Sequence, residues 1–151
     1  MNHKDESHPG RQYPKLPLVG VGAVVIKDGK ILLVKRAFPP GQGKWSVPGG
    51  LVELGEKLSD ACARETEEET GFKVDVLELI NVFDMIERDD DGKIRYHYVL
   101  VEFLAKPAGG TVRPSEEVMD IKWVTHEESK SMDMTRTARR ALNELFGGMQ
   151  L

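Results

Sequence analysis

The segment "GGLVELGEKLSDACARETEEETGF", Gly49 to Phe72, places the tightest constraint on how this chain folds. Two glycine turns bracket a stretch from Leu58 to Thr70. Within it Leu58, Ala61, Cys62 and Thr66 recur at spacings of three and four, the period of an amphipathic helix. Ser59 is the expected N-cap, and Gly71 suits the position where a left-handed backbone closes a helix. On such a helix Glu65, Glu68 and Glu69 fall at i, i+3 and i+4, so their carboxylates share one face. Like charges at that spacing repel by roughly 0.2–0.5 kcal/mol per pair. A glutamate-rich helix alone reads as a solvated face, and Glu67 is expected to be solvated. Carboxylates kept together against their repulsion also fit a hard divalent cation. Mg²⁺ takes oxygen ligands and commonly bridges carboxylates to substrate phosphates. The neighbours strengthen that reading. Glu56 precedes the helix by about a turn, Arg64 can pin one carboxylate by a bidentate contact, and Pro48-Gly49-Gly50 lets the backbone approach a ligand closely.

Around this segment the pattern alternates strands and turns. "VGVGAVVIKDGKILLVKR" holds two apolar runs joined by Asp28-Gly29, a β-hairpin signal. "AFPPGQGKW" is a loop, and "WSVPGGLVEL" gives short extended pieces. "FKVDVLELINVFDMI" and "KIRYHYVLVEFLAK" read as strands around a "DDDG" turn. The loop "PAGGTVRPSEEVMD" leads to a short strand "IKWV". The stretch "TRTARRALNELF" reads as an amphipathic helix with Ala138, Ala141, Leu142 and Leu145 on one face. The order β-β-loop-α-β-β-α predicts an α/β fold, a mixed sheet with helices on its faces. Residues 1–16 lack periodicity and are expected to form a mobile tail before a single domain over 17–151.

Composition narrows the function classes. At 151 residues, 40% hydrophobic and 30% charged, the chain suits one soluble domain. Its longest apolar runs, Val21–Ile26 and Ile31–Val34, are too short for a bilayer, and the N-terminus lacks a signal-peptide core. A cytoplasmic location and no membrane partner are therefore expected. The lone Cys62 excludes an internal disulfide and a thiolate metal site, and reads as packing. A formal net charge of −4 disfavours long nucleic acid, yet metal cations let an acidic protein hold a polyphosphate.

Gly50, Glu56, Arg64-Glu65, Glu68-Glu69 and Gly71, spaced as they are here, resemble the signature of the Nudix (MutT-like) hydrolases at each of its fixed positions. Thr66 stands where the pattern prefers an aliphatic residue, and its methyl can still pack. With the preceding hairpin and loop, the likeness runs over most of residues 18–146. The resemblance implies an α/β/α sandwich carrying a strand–loop–helix metal site. It further implies a pyrophosphohydrolase that cleaves a phosphoanhydride bond in a nucleoside diphosphate linked to another group, either a nucleotide sugar such as ADP-ribose or a (d)NTP. Carried over by position, Glu65, Glu68 and Glu69 hold Mg²⁺, with Mn²⁺ as a substitute and the Gly50 carbonyl as a further ligand. Glu56 and Arg64 shape and orient the site. Either Glu68 or Glu69 takes the proton of the attacking water. Many relatives add a carboxylate from a distant loop; of Glu116, Glu117 and Asp120, counting back from Trp123 favours Glu117. Relatives are often homodimers.

The substrate is less legible. Arg36 and Lys44 are candidates for phosphate contacts. Phe38, Trp45, Phe83 and Tyr96 are candidates for base stacking, although aromatics near strands are more often core. His97 reads as a satisfied or exposed histidine rather than a ligand, and the "RTARR" group, Arg136 to Arg140, as solvent-facing or an interface. The proline of ADP-ribose-type members is missing, since "MIERDD" occupies its region. The tyrosine of diadenosine polyphosphate hydrolases and the "SQPWPFP"-like run of NADH pyrophosphatases are also missing, and "LLVKRA" only faintly echoes the coenzyme A pattern. The chain looks most like short prokaryotic members called ADP-ribose pyrophosphatases. Two alternatives share the signature: a metal-dependent nucleotide-binding module without turnover, and an RNA 5′-end pyrophosphohydrolase.

Overall fold

The computed structural model describes residues 11–147. Strands β1 (Leu18–Lys27) and β2 (Lys30–Arg36) form the expected hairpin, with Ile26 opposite Ile31 and Lys27 opposite Lys30. Asp28 and Gly29 turn it with φ of 51° and 76°, the paired positive values of a type I′ turn. Beyond this mouth the strands part. The N-terminal half of β1 pairs instead with β4 (Gly49–Leu51), Gly20 facing Leu51 and Gly22 facing Gly49. Strand β2 runs antiparallel to β7 (Val118–Thr125) and to the two-residue β3 (Trp45–Ser46). On its other edge β1 lies parallel to β6 (Ile94–Gly110), which pairs antiparallel with β5 (Phe72–Arg88). The strand order is β3-β2-β1-β6-β5, with β4 added on β1 and β7 on β2. The fork between β2 and β4 was not legible in the sequence, because β3 and β4 are too short to show a period.

Helices cover both faces of this mixed sheet: α1 (Leu58–Thr70) on one, α3 (Arg136–Gly147) on the other, with the short α2 (His126–Ser129) after β7. Alternation along the strands divides the core accordingly. Val21, Ala23, Val25, Val101 and Ala105 pack with Ala61 and Cys62 of α1. Val24, Ile31, Leu33, Trp45 and Phe83 pack with Ala138, Ala141 and Leu142 of α3. Fully burying an aliphatic side chain such as Leu142 or Val24 contributes roughly 1.5–3 kcal/mol each. Among the described residues no helix is long and apolar enough to cross a membrane.

Three expectations change. Ser59 is not the N-cap; Lys57 occupies that position with extended backbone and no side-chain cap bond. Leu58, expected on the apolar face of α1, is 40% exposed, and the helix buries Ala61, Cys62, Glu65, Thr66, Glu69 and Thr70 instead. Residues 1–10 of the expected tail lie outside the described residues, but from Arg11 onward the segment has contacts. The Tyr13 amide donates to the Arg95 carbonyl, and its hydroxyl donates to Asp89 at 2.8 Å, tying it to the β5–β6 hairpin.

Gly71 ends α1 as the sequence anticipates, with φ 85° and its N–H on the Glu67 carbonyl. A Cβ there would also collide with the Thr111 carbonyl oxygen. Gly71→Ala is expected to lower stability by about 1–3 kcal/mol or more, through left-handed strain plus this overlap, read as a lower urea midpoint at unchanged slope.

Candidate active site

The acidic residues of α1 come together around one guanidinium. Arg64 holds Glu56 through two bonds, Nε to Oε2 at 2.7 Å and Nη2 to Oε1 at 2.9 Å. Its Nη1 donates to Glu65 at 2.8 Å and to Glu68 at 3.1 Å, and Nη2 also reaches the Leu51 carbonyl. Arg64 thereby fastens the turn after β4 to the helix and keeps two helical carboxylates side by side. The bonds to Glu56 first, then those to Glu65 and Glu68, raise its pKa above the ordinary arginine value. Glu56, bonded by that guanidinium, drops to about 2. Glu65 moves the other way. Burial lifts it to about 7 although Arg64 opposes the shift.

Close backbone approach completes the site. The Glu65 carboxyl lies against Gly50 where any Cβ would overlap it, so only glycine fits beneath. Glu69 is 3% exposed and accepts the Gly49 N–H at 2.7 Å. The Glu68 side chain is 56% exposed and faces the open cleft. Glu67, expected to be solvated, is half-buried and does not line the cleft. Among the described residues no three acidic or histidine side chains form a closed metal cage. The donor set is an open row of carboxylate oxygens beside a glycine turn. That suits Mg²⁺, which keeps waters and binds through one or two carboxylates plus substrate phosphates.

The cleft is about 770 Å³, the size of a nucleotide pocket. Gly50, Arg64, Glu65, Glu68, Glu117, Arg36 and Lys44 all line it. Among the loop acids only Glu117 does so; Glu116 and Asp120 are exposed outside it. Arg36 donates from Nε to the Pro40 carbonyl at 2.6 Å. Burial pulls its pKa down, Glu69 and Glu117 pull it up, and the nearby Arg11 opposes its charge.

Two substrate candidates are corrected. Trp45 and Phe83 are not stacking surfaces, because both are buried in the core under α3 and neither lines the cleft. Each carries a cation on its ring instead, Lys122 at 5.2 Å from the Trp45 centroid and Arg140 at 4.8 Å from that of Phe83. Tyr96 is likewise buried, stacked on Tyr98. The "RTARR" group is not simply a solvent face. Arg136, Thr137 and Arg140 line the cleft, while Arg139 donates to the Ser129 and Met132 carbonyls. Arg11, Asp84, Tyr98 and Glu102 also reach the cleft and were missed. Only Glu102 left a signal, an acid at an inward position of the apolar strand "YVLVEFLAK".

The chain is similar to known proteins in sequence and fold. A model of the NUDIX domain matches residues 16–145. A MutT-like protein of Streptomyces ambofaciens is 36% identical over 135 residues, which is 89% of this chain and 80% of that protein. An ADP-ribose pyrophosphatase of Methanocaldococcus jannaschii is 35% identical over 107 residues, 71% of this chain and 61% of that protein. The crystal structure of a MutT Nudix hydrolase from Burkholderia pseudomallei superposes with a TM-score of 0.75 at 32% identity, covering 87% of this chain and 99% of that one.

The two carboxyl shifts give opposite pH dependences in metal-free protein. Glu65, raised to about 7 from an ordinary 4.5, favours folding below about pH 4.5 and loses that contribution as pH rises through 7. Glu65→Gln should therefore remove a decline in stability across that window. Glu56, lowered to about 2, contributes above pH 4.5 and loses its contribution as pH falls toward 2. Wild type and Glu56→Gln should converge in stability toward pH 2. Urea denaturation across pH 2 to 8 reads both trends.

Proposed function

The chain belongs to the Nudix family of hydrolases, which act on pyrophosphate bonds, and on that premise we propose that it is a Mg²⁺-dependent pyrophosphohydrolase of nucleoside diphosphates linked to a second group, nucleotide sugars such as ADP-ribose before (d)NTPs. One observation carries the reading. Glu65, Glu68 and Glu69 gather at a glycine turn beside the same cleft that Arg36 and Arg11 enter. Anion-binding cations and cation-binding carboxylates are thus set against one cavity, as a metal–pyrophosphate complex requires.

Glu65, Glu68 and Glu69 would hold the metal, with the Gly50 carbonyl and Glu117 as further oxygen donors. When bound, Mg²⁺ supplies charge neutralisation at the phosphate oxygens and lowers the pKa of the attacking water. The protein residues divide the remaining work. Arg64 keeps Glu65 and Glu68 from turning away and fixes their spacing. Arg36 and Lys44 neutralise the phosphate chain and orient it. We assign acceptance of the water's proton to Glu68, supported by its exposure on the cleft and by the Gly49 amide holding Glu69. The ADP-ribose preference draws on the Methanocaldococcus jannaschii relative, 35% identical.

The test is nucleotide and phosphate release with Mg²⁺ across ADP-ribose, other nucleotide sugars, canonical and oxidised (d)NTPs, diadenosine polyphosphates and 5′-triphosphate RNA. Turnover of nucleotide sugars is expected, with Glu68→Gln lowering kcat by about a hundredfold to ten-thousandfold while folding is unchanged by circular dichroism. Silence across the panel, with Mg²⁺ binding demonstrated, points to a binding module without turnover. Mg²⁺ should also stabilise the fold by mass action, about 2.7 kcal/mol at a hundredfold excess over its Kd, read as a higher Tm. That shift should shrink in Glu65→Gln, and below pH 7, where protons compete for the same oxygens.

A further inference from the structure

The floor of the cleft carries an acid that the metal site does not use. Glu102 on β6 is 4% exposed and lines the cavity. Val101 and Ala105 pack toward α1, so Glu102 projects to the opposite face of the sheet, the side of α3. Its carboxyl extends across the neighbouring strand and rests over Gly22, where a Cβ would overlap Oε2. Gly20, also on that face, leaves a second bare position beside the Leu100 side chain. The cleft floor is therefore a strip of glycine backbone with one carboxyl on it.

Among the described residues Oε2 of Glu102 has no hydrogen-bond partner. Basic residues line the same cavity, yet none of the described ones forms an ion pair with it, and burial raises its pKa to about 7. Buried acceptors are ordinarily satisfied, and leaving one unpaired is unfavourable. An acceptor facing a ligand cavity without a protein donor calls for a donor on the ligand. Its distance from the metal acids is short in strand terms. Gly22 pairs with Gly49, whose amide binds Glu69. A ligand with its pyrophosphate at Glu65, Glu68 and Glu69 would lay its nucleoside along Gly20 and Gly22.

Resting on the hydrolase reading above, we infer that Glu102 is a specificity residue whose carboxylate accepts hydrogen bonds from two adjacent donors on the nucleoside. On a nucleotide such paired donors occur as the ribose 2′,3′-diol and as the N1–H and N2–H₂ edge of guanine. Gly22 is the matching requirement on the protein, since any side chain there would displace the carboxyl.

The experiment measures Mg²⁺-dependent binding of AMP, dAMP, GMP and dGMP by calorimetry, beside turnover of the substrate panel, for wild type, Glu102→Gln and Glu102→Ala. Glutamine keeps the shape but replaces one acceptor with a donor; alanine removes the group. Both variants are expected to weaken binding of the matching nucleotide, and to raise its KM more than they lower kcat, by about tenfold to a hundredfold. A diol contact shows as AMP and GMP losing affinity while the deoxy forms, already weak in wild type, do not change. A guanine-edge contact shows as loss confined to GMP and dGMP. If both variants keep the wild-type ratios among the four nucleotides while wild type turns over the panel, the inference fails and the hydrolase reading stands. Silence of wild type in both binding and turnover overturns both.

Discussion

The structure turns on the bidentate contact between Arg64 and Glu56, backed by the bonds from the same guanidinium to Glu65, Glu68 and the Leu51 carbonyl. Three helical carboxylates on one face repel, and the helix has no side-chain N-cap to hold its first turn. A single planar cation with five donors offsets part of that repulsion and ties the loop after β4 onto the helix. Lysine cannot reproduce it, because a point charge cannot reach Glu56 in a fork while also touching Glu65 and Glu68.

Glycines set how near the acids come to the backbone. Gly50 lies under Glu65, Gly49 donates to Glu69, and Gly22 lies under Glu102. Each is a place where a Cβ would occupy space now filled by a carboxyl or a neighbouring strand. The result is a cleft whose acids are buried at different depths. Glu68 is open to solvent, Glu65 is buried yet held by Arg64, and Glu102 is buried with its Oε2 unpartnered among the described residues. Contact and burial give chemically identical side chains different proton affinities: Arg64 lowers Glu56 to about 2, while burial raises Glu65 and Glu102 to about 7.

The helix, its carboxylate face, the Gly71 stop and the Asp28-Gly29 hairpin were all readable in the sequence, because each is encoded by short-range spacing or by a residue type that a positive φ requires. The aromatic candidates were not. Trp45 and Phe83 fit a stacking surface as well as they fit a core, and only the packing of α3 over β1, β2 and β5 buries them. Ser59 was misassigned because the N-cap position falls two residues earlier, at Lys57, and propensity yields to the path of the preceding loop. Arg136 and Arg140 looked like solvent-facing charges until α3 was laid against the cleft.

What the chain alone determined is the local chemistry: which carboxylates share a helix face, which glycines free the backbone around them, and hence the family and its reaction class. Helical period and turn stereochemistry act over a few residues, so they survive without knowledge of the fold. The tertiary structure decided the cleft. Glu117 comes to it from the loop before β7, Arg36 from the end of β2, and Glu102 from β6, each placed by strand pairing between segments far apart in sequence. Such pairing is set by which apolar faces can be buried together over the whole sheet, a global sum that no local window contains.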